Sequence, residues 1–263
     1  MRKKGIIQSV DRALSLLEVL EESPKESLSL PELAEHAPGD TATVHRQLKT
    51  LLLHGLVDQD PFNKRYSLGP SLLRLSQSLY KKLRIQSMLR PFLVQLADQT
   101  RETCHLAVLA VDRAVFVDQV TGCETVTVNT AIGDSEPLYC TAVGKALIAF
   151  QPEPLRDRLI RDLKLRRVTP NTIIRKTRLR QEIQEIRESG VAFDREEYVP
   201  GVNCAASPIF NVREELVCTI GLSGPSTRIP TEKLEELRTI VKTIARKASR
   251  RMGSDGTIFD DGK

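Results

Sequence analysis

The chain is 263 residues long, carries a formal net charge of +5 and has an isoelectric point near 9.0. That length suits two modest domains better than one, and the basic balance agrees with a polyanionic partner without requiring one. Trp is absent and aromatics make up 4%, which argues against single-stranded base stacking as the main activity. No run is long and apolar enough for a membrane span or a signal peptide, so a cytoplasmic protein with no membrane partner is expected.

The pattern opens as helix. Residues 6–22 place Val10, Leu14, Leu17 and Leu20 at helical spacing, with Ser9 as the cap. Residues 27–37 carry a second helix. Ser29 caps it, Pro31 sits in the first turn, and Glu32 completes a capping box. Pro38 and Gly39 break the chain before a third helix over 41–54, capped by Asp40 or Thr41. Val44, Leu48, Leu51 and Leu52 form its apolar stripe, and Gly55 ends it. A strand starts at Leu56 and Val57, residues 60–64 turn, and a second strand returns over 65–68. Helix, helix, short turn, helix and hairpin is the order of a winged helix-turn-helix, whose third helix enters the DNA major groove.

This order predicts an interface for a double-stranded DNA operator. Its candidates are Thr41, Thr43, His45, Arg46, Gln47 and Lys49 on the third helix, with Lys64 and Arg65 on the wing. Arg46 suits a bidentate bond to guanine, a phosphate contact or a packing ion pair. Thr43 and Gln47 lie one turn apart and suit one groove or a solvated face. His45 borders the apolar stripe, where packing or a phosphate bond is favoured over base reading. Lys64 and Arg65 suit phosphates or a minor-groove edge.

A linker helix is expected over 71–88, with Leu72, Leu75, Leu79 and Leu83 on one side, able to pair with its copy in a dimer. Another helix follows over 89–101. From residue 103 the character changes to strands at CHLAVLAV, AVFVDQV and TVTVNTAI. Helices are expected at 141–150, 153–161 and 175–189. Strands return at VAFDRE, AASPIF and LVCTIGLSG, and a last helix runs from Thr231 to Arg251. The fold class is α+β, an antiparallel sheet flanked by helices behind the winged helix-turn-helix. The expected divisions are 1–70, the linker 71–88, a second domain 89–252 and a frayed tail 253–263.

Motifs for chemistry are sparse. Cys104, Cys123, Cys140, Cys204 and Cys218 are odd in number and form no CxxC pair, as reduced thiols do. Cys104, His105, Cys140 and Cys204 lack zinc spacing, so no metal is expected. No Walker loop or dinucleotide fingerprint occurs, so no cofactor is expected. Cys204 would be a nucleophile only with a base such as His105 beside it, and no catalytic residue is assigned. Thr141 is a candidate cap for the helix that follows. The N–H groups of Ala142, Val143 and Gly144 suit a carboxylate, or an ordinary self-satisfied helix start.

These stretches together resemble the IclR family of bacterial transcription regulators. The resemblance spans roughly 6–252. Its first block is IQSVDRALSLLEVL, LSLPELAE, TVHRQLKTLLLHGLV and KRYSLG; its second is ETCHLAVL and PLYCTAVGKALIA. The third, SGVAFDREEYVPGVNCAASPIF, sets Gly190, Asp194, Glu197, Gly201, Cys204 and Pro208 at specific spacings. The resemblance implies a GAF-like second domain that binds a small organic-acid effector, and assembly with itself as a homodimer or dimer of dimers. It implies a regulator, expected to repress a catabolic operon. It also implies that Asp194 and Cys204 line the effector pocket; a loop-fixing carboxylate and a buried thiol are the alternative. Ser223 is expected either in the same cavity or as an exposed strand-end hydroxyl. Ala42 stands where the family often has Ser, and Gly221 where some relatives carry a hydroxyl in the pocket. Two rival classes are an adaptor that has lost DNA binding and an enzyme with a DNA-binding appendage. The intact basic third helix and wing speak against the first, and turnover of a bound acid would mark the second.

Overall fold

The computed structural model describes residues 6–76 and 85–256. The chain divides into two compact units, one ending at Arg84 and the other beginning at Ile85.

In the first unit α1 spans Gln8–Glu22, α2 Leu30–His36 and α3 Thr41–Leu53. Strands β1 (Val57–Gln59) and β2 (Tyr66–Leu68) pair antiparallel as a wing. Leu16, Leu20, Leu33, Val44, Leu48 and Leu51 close the core with Leu28, Val57 and Tyr66. Each such side chain contributes roughly 1.5–3 kcal/mol by leaving water. The capping box of α2 is present: Glu32 N donates to Ser29 Oγ, and Ser29 N donates to Glu32 Oε2 at 2.7 Å. Asp40 caps α3 by accepting from Thr43 N at 2.7 Å. At its far end Gly55 takes φ 64°, Gly55 N bonds Leu52 O and Leu56 N bonds Leu51 O. A left-handed glycine thus satisfies the closing carbonyls. Two details of α1 differ from expectation. Its cap is Ile7, which makes no side-chain bond, so Ser9 lies inside the helix. Its core stripe is Leu16 and Leu20, while Val10 and Leu14 are about half exposed, because only the second half of α1 joins the core.

The second unit holds a six-stranded antiparallel sheet in the order β5-β4-β3-β8-β7-β6. The strands are β3 (Thr103–Ala110), β4 (Arg113–Val120), β5 (Ser135–Pro137), β6 (Ala192–Arg195), β7 (Val202–Phe210) and β8 (Leu216–Pro225). The helices are α4 (Ile85–Thr100), α5 (Ala142–Ala149), α6 (Glu153–Asp162), α7 (Lys176–Ser189) and α8 (Thr231–Arg251). Leu234, Leu237, Val241, Ile244, Ala245 and Ala248 recur every three or four residues and bury one stripe of α8 against β7 and α4. The short, wholly buried α5 packs across β7, β8 and β6 and is backed by α6 and α7.

Three expectations need correction. Residues 125–132, read as a strand, are irregular, and the edge strand is Ser135–Pro137 instead. The alternation of TVTV has no buried face to serve, since Val126 is exposed. The boundary expected at residue 88 falls inside α4, which runs through Pro91; of the expected linker helix, residues 71–76 are helical and 77–84 lie outside the described residues. Finally, the start of the expected tail is fastened. Gly253 bridges Asn211, and Ser254 Oγ and Asp255 N both donate to Glu214. Residues 257–263 of that tail lie outside the described residues.

Candidate functional site

The outer face of α3 carries exposed Thr41, Arg46 and Lys49, with Thr43 and His45 half-buried beside them. Burial of Val44, Leu48 and Leu51 against the core fixes which side faces out. Arg46 Nη2 donates to Thr43 Oγ1 at 3.4 Å, so these two form one polar edge. Gln47 departs from that edge. Its Oε1 is shielded from solvent and has no hydrogen-bond partner among the described residues. In the wing, Asp60 Oδ1 accepts from Phe62 N at 2.7 Å and Asn63 N at 3.1 Å and so fixes the turn. Lys64 is exposed at φ 60°. Arg65, expected beside it on the DNA side, turns back instead and donates to Ser27 and Glu32.

In the second unit, strand register assembles a row that sequence spacing does not reveal. Asp194 pairs with Cys204, Cys204 with Ser223, and Ser223 with Thr103. Residues directly opposite in an antiparallel sheet share a face, so carboxylate, thiol and two hydroxyls line up across β6, β7, β8 and β3. Asp194 and Ser223 are buried, whereas Cys204, between buried neighbours, keeps some accessible surface. The next row is Ala192, Ala206, Gly221 and His105. A Cβ on Gly221 would come within 2.8 Å of Ala205 O and 3.0 Å of Ala206 Cβ. A hydroxyl-bearing side chain here would need the sheet to shift.

Helix α5 packs on this face, its Ala142 and Val143 sharing one core cluster with Ala192, Ala206 and Cys204. Thr141 Oγ1 accepts from Gly144 N at 3.1 Å and donates to Pro137 O at 2.8 Å. Ala142 and Val143 are buried, and their N–H groups precede the first intrahelical bonds. Gly144 allows the approach: a Cβ there would lie 2.5 Å from Leu138 Cα. Burial, with the Glu197 charge nearby, pushes Asp194 up to about 7. Burial and the neighbouring Asp134 charge push Glu136 up to about 7 as well. Such a site offers backbone donors and, when Asp194 is protonated, an acid O–H.

Family profiles match both units. The profile described as bacterial transcriptional regulator IclR C-terminal covers residues 77–250, and that of the IclR helix-turn-helix domain covers residues 9–61. The chain belongs to the IclR family. The HTH-type transcriptional regulator XynR of Escherichia coli is 31% identical over 94% of this chain and 98% of its own length. The transcriptional repressor IclR of Escherichia coli is 29% identical over 95% of this chain and 91% of its own. The crystal structure of an IclR transcriptional regulator from Alicyclobacillus acidocaldarius superposes with a TM-score of 0.78 at 28% identity, covering 94% of this chain and all of that one. This IclR-family chain is thus a regulator of transcription and not an enzyme. Its site agrees with that on chemical grounds. Burial raises the Cys204 thiol well above its ordinary range, so it stays protonated, and burial lowers His105 to about 4, so the imidazole accepts protons poorly. No helix among the described residues is long and apolar enough to cross a membrane.

Sequence reasoning about this IclR-family chain missed a buried ion cluster next to the row. Lys145 of α5 is fully buried, with Nζ 3.0 Å from Glu182 Oε1 on α7 and 2.5 Å from Glu197 Oε1. Glu197 N in turn donates to Asp194 Oδ1 at 2.7 Å. Arg178 adds a second cation to Glu182 at 3.1 Å. Glu197 Oε2 is buried without a hydrogen-bond partner among the described residues. The one available signal was a lone lysine inside the apolar run AVGKALIA, which a buried helix tolerates only with a counter-charge.

Proposed function

We propose that this protein represses a catabolic operon by binding a pseudo-palindromic operator as a dimer or dimer of dimers in the cytoplasm, under control of a small organic acid. The observation that carries the effector half is the buried start of α5. Ala142 and Val143 share a core cluster with Cys204 of the Asp194–Cys204–Ser223 row, their N–H groups precede the first intrahelical bond, and Thr141 is already spent on Gly144. A helix N-terminus favours an anion without a basic side chain. Asp194, neutral below about 7, adds a donor for the same carboxylate. The DNA half rests on the outward edge of α3, where Thr43 and Arg46 select bases and Lys49 and Lys64 meet phosphate. The relative named transcriptional repressor IclR supports the sign of regulation. The exposed Ile7, Val10 and Leu14 recur along one side of α1 and support pairing with a second copy.

The test is binding to the gene's own upstream DNA and to scrambled DNA across a salt series, with and without a panel of organic acids. Preference for the native sequence that one acid weakens is expected. Equal, salt-sensitive binding to both DNAs would overturn the operator reading. Replacing Arg46 with Ala is expected to cost about 1–3 kcal/mol and to relax selection at one base position. An equal loss on every DNA sequence would make Arg46 a phosphate contact instead.

A further inference from the structure

The wing offers two adjacent cations with opposite fates. Lys64 is exposed, and its ammonium makes no hydrogen bond among the described residues. Arg65 is held inward: Nε donates to Ser27 Oγ at 3.2 Å, and Nη2 donates to Ser27 O at 2.8 Å and to Glu32 Oε2 at 2.8 Å. Glu32 does more than a capping box requires. Its Oε2 takes Ser29 N, Ser29 Oγ and Arg65, while its Oε1 takes Lys25 Nζ at 2.6 Å. Those donors, the Lys25 ammonium foremost, hold the carboxyl down to about 2, so it remains an anion. The wing root does not need this ion pair for attachment. Leu28 and Tyr66 already exchange both backbone bonds, at 2.9 and 2.7 Å.

We propose that Glu32 is a positioning residue that withholds Arg65 from DNA, leaving Lys64 as the wing's phosphate contact. The proposal rests on the DNA-binding reading above. With Nε bonded to the Ser27 hydroxyl and Nη2 to the Ser27 carbonyl and the Glu32 carboxylate, Arg65 has its charge already matched and must break these bonds to present its forked edge to a phosphate, whereas the exposed Lys64 ammonium has no ion pair to break among the described residues. Glu32 thereby sets how many phosphates the domain neutralises, and tunes affinity for every DNA sequence alike.

The salt dependence of binding counts those contacts, each adding about 0.9 to the slope of log affinity against log salt. The full-length protein is titrated with one duplex of its upstream DNA at several salt concentrations. Lys64→Gln is expected to lower the slope by about 0.9, and Arg65→Gln to leave it unchanged. Glu32→Gln keeps an acceptor for Ser29 N but removes the anion, so the slope is expected to rise by about 0.9. That rise should vanish in the Glu32→Gln/Arg65→Gln double variant. A drop of about 0.9 in Arg65→Gln alone would overturn the proposal, as would a rise that persists in the double variant. If Arg65→Gln fails to fold, an unchanged slope in Glu32→Gln still overturns it. Failure of the unaltered protein to bind DNA at low salt would instead remove the DNA-binding reading, and this proposal with it.

Discussion

Lys145 and Asp194 show how single buried charges shape the second unit. Lys145 is wedged between Glu182 and Glu197, both nearly buried. Exchanging it for Met would leave Glu197 in low dielectric without its cation and Glu182 with Arg178 alone. Breaking a buried pair by removing one partner costs about 3–5 kcal/mol, so Lys145→Met should lower the urea midpoint of this unit by a corresponding amount. A change near zero would mean that water reaches the cluster. Asp194 carries a pH dependence. Its carboxyl is raised from an ordinary 3.8 to about 7, so the folded state holds a proton that the unfolded chain releases. The associated stability is full below about pH 4 and is lost as pH rises toward and through 7. Glu136, also raised to about 7, acts in the same window, so the decisive quantity is a difference between variants. Unfolding free energy of the unaltered chain should fall between pH 4 and 8 by a few kcal/mol more than that of Asp194→Asn. Parallel curves would show that Asp194 is solvated.

At the scale of elements, α5 depends on a contact that only glycine allows. A Cβ at Gly144 would sit 2.5 Å from Leu138 Cα and 2.6 Å from Leu138 O, and neither backbone atom can step aside cheaply. Overpacking of this kind costs about 1–3 kcal/mol. Gly144→Ala should therefore lower the melting temperature and also shift the start of α5 off the Asp194–Cys204–Ser223 row. An organic acid found to stabilise the unaltered chain should then give a reduced melting shift, and an undiminished shift would place the ligand elsewhere. Local signals made much of the architecture legible. The Ser29/Glu32 box, the Asp40 cap and the Gly55 stop each satisfy backbone groups next to them in sequence, so residue type and spacing sufficed. Signals that depend on tertiary burial misled. Val10 and Leu14 have helical spacing but meet no core, and TVTV has strand spacing but no face to cover. The partners of Arg65 were not legible locally, since Ser27 and Glu32 lie more than thirty positions away.

At the scale of the whole molecule, the DNA candidates lie in the first unit and the row proposed for the effector in the second. Any effect of acid on DNA binding is then a coupling free energy between separate sites, and coupling is reciprocal. If the acid lowers operator affinity by a factor α, operator DNA must lower acid affinity by the same factor. Typical couplings of 1–3 kcal/mol correspond to about 5- to 150-fold, well within the range of calorimetric titration. Two titrations on the full-length protein check this: DNA into protein with and without saturating acid, and acid into protein with and without saturating operator. Equal factors are expected at one pH and salt. Acid affinity itself, with or without operator, should fall above pH 7, because an ionised Asp194 no longer offers a proton to a bound carboxylate and repels it. An acid effect on DNA binding that keeps growing with acid concentration instead of levelling off, with acid binding abolished by saturating operator, would mean that the acid competes at the basic face of α3 rather than binding the second unit. In that case the Gly144→Ala variant would keep its full response to acid, and the Arg46→Ala variant would lose it.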